Sequence, residues 1–135
     1  MPPERMEPGS PAEWLQRARS NYALACAAKP AETCWEDLCF QAQQAAEKAI
    51  KAVMLHKGVR FPYVHDLANL LTELERGGFA VPESVKACAS ITPYAFQTRY
   101  PGDYEPAKEA DYRRAVDQAR TVLEWAARIV EGKGT

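Results

Sequence analysis

The chain has no long apolar run: nowhere do its 135 residues approach the roughly 18 to 20 uninterrupted apolar positions that a membrane-spanning helix needs. Its N-terminus, MPPERMEPGSP, lacks the apolar stretch of a secretory signal, so the sequence predicts a cytoplasmic protein. Charge of one sign is lacking too. Lys and Arg number 17 against 18 Asp and Glu, a net charge of -1, so the surface as a whole cannot hold a polyanion by charge alone and any nucleic-acid contact must be local. Histidine is scarce, with only His56 and His65, and the four cysteines form no C-x-x-C pair. No zinc-like ligand spacing results, and the sequence predicts neither metal nor cofactor. Cys26, Cys34, Cys39 and Cys88 are expected as small buried apolar side chains. β-type alternation, hairpin turn pairs and internal repeats are absent as well.

What remains is helical. Hydrophobic residues make up 47% of the chain, enough for one compact domain and too far from the disorder-prone regime to stay unfolded. Residues 1–9, rich in proline, read as a flexible arm, and residues 10–135 as a single domain. Ser10-Pro11-Ala12-Glu13 is a capping box with proline at the first helical position, and Trp14, Ala18, Tyr22 and Ala25 follow at helical steps until near Lys29-Pro30. A second box, Thr33-Cys34-Trp35-Glu36, opens a longer helix to Lys57, which Gly58 ends. His65-Asp66 leads Leu67, Leu70, Leu71 and Leu74 into a third helix stopped by Gly77-Gly78. Pro82 starts a fourth, with a kink or break near Thr92-Pro93, and a last helix runs to Glu131 before Gly132. The expected architecture is all-α: four to five helices in an up-and-down antiparallel bundle.

Three features could carry chemistry. On the second helix Gln41, Gln44, Lys48 and Lys51 recur at steps of three and four beside Glu47. They form either a solvated face with a Glu47–Lys51 pair, or a stripe in which lysines meet phosphate and amides meet bases. Asp66 suits a helix cap, while His65 has the side chain fitted to proton transfer near neutral pH. Thr98-Arg99-Tyr100-Pro101-Gly102-Asp103-Tyr104-Glu105-Pro106 joins a cation, phenols and carboxylates on a proline-bounded segment. Arg99 could clamp a phosphate and the tyrosines stack on bases; alternatively Arg99 pairs with Asp103 or Glu105 and the tyrosines pack on the bundle.

Taken together, the block Cys39-Phe40-Gln41-Ala42-Gln43-Gln44-Ala45-Ala46-Glu47-Lys48-Ala49-Ile50-Lys51-Ala52, then His65-Asp66-Leu67, then Thr98-Arg99-Tyr100-Pro101, resembles the HEPN domain family (higher eukaryotes and prokaryotes nucleotide-binding) from about Trp14 to the end of the last helix. The resemblance implies a helical bundle that pairs about a two-fold axis, with the Arg-bearing loops of both subunits in a shared cleft. It also implies one of two roles. Some members are metal-independent endoribonucleases, and others accompany minimal nucleotidyltransferases in toxin-antitoxin or defence-type systems. The ribonuclease signature is Arg, four to six residues, then His. Counting from Arg99, the available positions are Tyr104, Glu105 and Pro106, so the signature histidine is missing. A tyrosine with an ordinary pKa near ~10 is a poor base at neutral pH. Nucleotidyltransferase-paired members that carry Arg, four residues, His, any residue, Tyr would place that tyrosine at Pro106, so its modification does not carry over.

The expectation is therefore a homodimeric module that binds RNA or a nucleotide at an Arg99 cleft, with Lys48, Lys51, Gln44, His65 and Tyr100 contributing. Pairing with a minimal nucleotidyltransferase is the companion role. The alternative is an active ribonuclease using Arg99 with Tyr104 or His65 in place of the signature histidine.

Overall fold

The computed structural model describes residues 6–97, 102 and 104–132. Helix α1 spans Pro11–Cys26, α2 Trp35–His56 and α3 Leu67–Arg76. A broken leg follows: α4 at Glu83–Lys86, a 3-10 turn at Ala87–Ile91 and α5 at Tyr94–Gln97. Helix α6, Glu109–Glu131, ends the described chain, and no strand occurs among the described residues.

Local chemistry sets most of the boundaries. The Ser10 hydroxyl accepts from the Glu13 amide at 3.2 Å, and Glu13 reaches back to the Gly9 amide at 2.8 Å, one residue earlier than in the usual box. Asp66 caps α3 by accepting from the amides of Ala68 and Asn69. Gly132 adopts a left-handed φ of 66° where α6 stops, a conformation in which a side chain is strained. Gly77 has a different reason for being glycine: a Cβ there would lie 2.9 Å from Val59.

Two boundaries differ from expectation. Helix α1 stops at Cys26, and α2 is preceded by Cys34, whose side chain makes no capping bond, rather than by Thr33. Asp37 nevertheless starts the hydrogen-bond ladder by donating to the Cys34 carbonyl at 3.1 Å. The acidic Glu36 and Asp37 also favour this helix start through the macrodipole. The fourth leg breaks at Thr92-Pro93, as proline chemistry requires.

Long-range bonds give the direction of each leg. Tyr112, near the start of α6, donates to the carbonyl of Ala25, near the end of α1, at 2.7 Å, and Arg19 meets Glu131 at the far end of α6. Helices α1 and α6 are therefore antiparallel. Trp35 stacks on Tyr112 and Glu36 accepts from the Ala107 amide, so α2 and α6 start side by side and run the same way. The broken leg from Val81 to Gln97 supplies the return between them, and α3 lies beside that alternation.

Alanine lets the three long helices approach closely. Ala18 and Ala25 of α1, Ala42, Ala45, Ala46, Ala49 and Ala52 of α2, and Ala115, Ala119 and Ala126 of α6 are all without exposed surface. Leu67, Leu70, Leu71 and Leu74 close the core from α3, with Val85, Cys88 and Ile91 from the broken leg. Cys39 and Cys88 are buried as expected. Cys26 and Cys34 are exposed: the first is the last residue of α1, and the second precedes the first turn of α2. No helix among the described residues is long and apolar enough to cross a membrane.

Candidate functional site

Of the polar stripe expected on α2, Gln41, Gln44 and Lys48 are half-buried, while Lys51 is buried together with Glu47 and with Gln43, which lies outside the stripe. Gln43, Glu47 and Lys51 stand at steps of four and so share one side of the helix. That side is covered: Gln43 is 0% exposed, Glu47 4% and Lys51 6%. The segment approaching α3 lies across it, and the aromatic rings of Trp14 and Phe61 enclose its lower end.

Glu47 is the hub. One oxygen, Oε1, accepts from Gln43 Nε2 at 3.1 Å and lies 3.0 Å from His65 Nδ1; the other, Oε2, takes Lys51 Nζ at 3.0 Å. Burial works to raise the carboxyl's pKa, but the bonds from Lys51 and Gln43, the Lys51 charge and the His65 bond outweigh it, and the group sits below the ordinary glutamate value. Glu47 is thus a buried carboxylate held ionised. Because it only accepts, His65 presents Nδ1–H to it, which leaves Nε2 as the basic ring nitrogen.

Backbone geometry fixes the histidine. Asp66 begins α3 beside it, Gln43 Nε2 donates to the His65 carbonyl at 3.2 Å, and the ring meets Phe96 edge-on at 5.9 Å. The side chain of His65 keeps 40% exposure while its carboxylate partner keeps 5%. One end of the pair is therefore anchored in the core and the other reaches solvent.

The remaining polar residues of α2 divide. Gln44 donates to Gln43 Oε1 at 2.7 Å and so completes the buried cluster. Gln41 and Lys48 turn to α1, where Asn21 donates to Gln41 Oε1 at 2.7 Å and accepts from Lys48 Nζ at 2.8 Å. Lys51, expected to meet phosphate, is instead enclosed: its ammonium lies 5.2 Å from the Phe61 ring centre and 5.7 Å from that of Trp14, and it neutralises Glu47. Tyr104 stands apart from this cluster. It is half-buried, and its phenol is raised above the usual tyrosine value by burial, then by the charges of Glu36, Asp37 and Cys34 at the start of α2. Arg99 and Tyr100, with Asp103, lie outside the described residues. Among the described residues no group of three or more His, Cys, Asp and Glu could hold a metal ion.

Sequence reasoning passed over Gln43 and Asn21. The first had a readable signal, since 43, 47 and 51 form an i, i+4, i+8 series flanked by alanines that must be buried. Asn21 had none, because its partners come from another helix.

An all-α bundle with an ionised carboxylate buried on its second helix, joined to a half-exposed histidine at the start of its third, is the class that this fold and cluster define. The HEPN domain family profile matches residues 11–130, and the chain belongs to that family. Among solved structures, TT1696 from Thermus thermophilus is 28% identical with a TM-score of 0.76, over 88% of this chain and 97% of that one. ST0689, described as an archaeal HEPN homologue, shares the fold at 24% identity with a TM-score of 0.71, over 93% of this chain and 99% of its own. No curated protein matches the sequence.

Proposed function

We propose that this HEPN-domain chain acts as a homodimeric module that holds RNA or a nucleotide at a cleft carrying Arg99, and that it serves as the partner of a minimal nucleotidyltransferase in a toxin-antitoxin or defence-type pair. The observation that carries the reading is the packing of Phe96 on His65. Phe96 is three residues ahead of Arg99 in the sequence, and the ring it packs on is the solvent-facing end of the Glu47–His65 pair. In this reading Arg99 supplies a bidentate donor for phosphate, Tyr100 a ring for a base, and His65 a further donor. Gln44, tied to Gln43, steadies the cluster, and Lys51 keeps Glu47 ionised. Tyr104 contributes little to proton transfer, because burial favours its neutral phenol.

A second reading has its own support. The carboxylate–imidazole pair resembles an oriented general base: Glu47 fixes the tautomer and leaves Nε2 of His65 to take a proton. In that reading His65 removes the proton of a ribose 2′-hydroxyl, the oxygen attacks the adjacent phosphorus, Arg99 stabilises the charged phosphorane, and the P–O5′ bond breaks to leave a 2′,3′-cyclic phosphate and a 5′-oxygen that takes its proton from water. His65, rather than Tyr104, replaces the missing signature histidine.

Incubation of the protein with a mixed RNA pool in EDTA separates the two. Retention without fragments, lost in Arg99→Ala, supports the binding module. Fragments in EDTA that disappear in both Arg99→Ala and His65→Asn support the nuclease. RNA that is neither retained nor cut refutes both.

A further inference from the structure

On the α1 side of α2 lies a cleft of about 310 Å³ lined by Gly9, Glu13, Trp14, Arg17 and Lys48. Trp14 and Arg17 are three apart on α1, so they stack one above the other on the same face, and Lys48 faces them from α2. The Trp14 ring is a fixed platform: Phe61 meets it edge-on at 5.6 Å and the Lys51 ammonium sits 5.7 Å from its centre.

The cleft carries an excess of positive charge. Among the described residues Arg17 has no ion pair, and the hydrogen bond of Lys48 is to the neutral Asn21 amide. Glu13 is the one carboxylate in the lining, and its Oε1 is taken up by the Gly9 amide. Glu47, which also acts on Lys48, is already matched by Lys51 at 3.0 Å. Burial, offset by Glu47 and reinforced by Arg17 and Lys51, lowers the Lys48 ammonium below the usual lysine value, so an anion placed there would relieve an existing cost.

An aromatic wall beside two cations, set against the single carboxylate of Glu13, is the complement of a flat ring joined to a phosphate. We propose that the cleft is a binding site for a nucleoside 5′-phosphate group, free or as one unit of an RNA strand, with the base on Trp14 and the phosphate between Arg17 and Lys48. Its volume suits one such unit. The proposal does not rest on the Arg99 reading.

The three tryptophans give three indole N–H signals in an ¹⁵N-labelled sample, and Trp14→Phe identifies the one in question. The probes are AMP, adenosine, inorganic phosphate and a short 5′-phosphorylated RNA. AMP at millimolar concentration is expected to shift the Trp14 signal, with adenosine and phosphate weaker, since each supplies half of the contacts. A response to the RNA alone assigns the site to a strand, and a response to AMP alone to a free nucleotide; either supports the proposal. Arg17→Gln and Lys48→Met should each weaken binding by about tenfold or more, the scale of a charged hydrogen bond. Arg17→Gln, which breaks no ion pair among the described residues, should melt as the wild type does, so its loss of the Trp14 response reports the cleft and not the fold. Silence of the Trp14 signal toward every probe overturns the proposal. So does a Trp14 response to AMP that survives both cleft substitutions.

Discussion

Glu47→Ala is the most informative perturbation of the folded state. At 3.0 Å the Glu47–Lys51 attraction is about 5.5 kcal/mol for an effective dielectric constant near 20, a gross figure that desolvation of the two ions largely cancels. The variant removes the attraction and leaves the desolvation, because Lys51 stays enclosed by Trp14 and Phe61 with no counter-charge. Gln43 and His65 lose their acceptor at the same time. The expected loss is about 3–5 kcal/mol, the range for breaking a buried pair. At roughly 4 °C per kcal/mol for a chain of this size, thermal melting followed by circular dichroism should fall by about 12–20 °C. Replacing both ions by apolar residues, Glu47→Leu with Lys51→Met, should cost less than Glu47→Ala alone, since no charge is then stranded. The acid limb carries the same signature. A carboxyl whose folded pKa is depressed stabilises the protein above its unfolded value of about 4.3, and that contribution is lost as pH falls from there through the lower folded value. Glu47→Gln should flatten that part of the stability profile. A melting point for Glu47→Ala within about 4 °C of wild type, some 1 kcal/mol, would refute the reasoning.

Asp66→Ala should cost about 0.5–2 kcal/mol in urea unfolding, because the α3 amides of Ala68 and Asn69 lose their acceptor. A thiol reagent at pH 8 should label Cys26 and Cys34 quickly and spare Cys39 and Cys88, whose thiols burial pushes up to about 12; four equivalent rates would contradict the packing. Light scattering at micromolar concentration should give about 30 kDa, a two-fold dimer of the 15.0 kDa chain; a monomer mass would remove the shared cleft from the proposed function.

The helices and the sign of their ends were legible because those signals are local. Ser10, Asp66, Pro93 and Gly132 act on amides, carbonyls and torsions within a few residues of themselves. The state of the α2 stripe was not, since a Gln, a Glu and a Lys at helical spacing look the same whether water or another segment covers them. What decides it is His65, 18 residues beyond Glu47, and the Trp14–Phe61 lid, whose members are 47 positions apart. Exposure of Cys26 and Cys34 was equally out of reach, being set by where α1 stops and α2 begins. Of the motif residues, Gln44 and His65 meet in one cluster around Glu47, Lys48 turns to α1, and Tyr104 stands near the start of α2.

The central claim is that Arg99 holds the phosphate of RNA or a nucleotide, and it is tested most directly by equilibrium titration of a labelled single-stranded RNA with wild-type protein and Arg99→Ala, in EDTA at one fixed salt concentration. Loss of one charged hydrogen-bonding group should weaken binding by about 1.5–3 kcal/mol, or roughly ten- to 150-fold in Kd, with the melting point unchanged. Equal affinity for the two proteins would contradict the account.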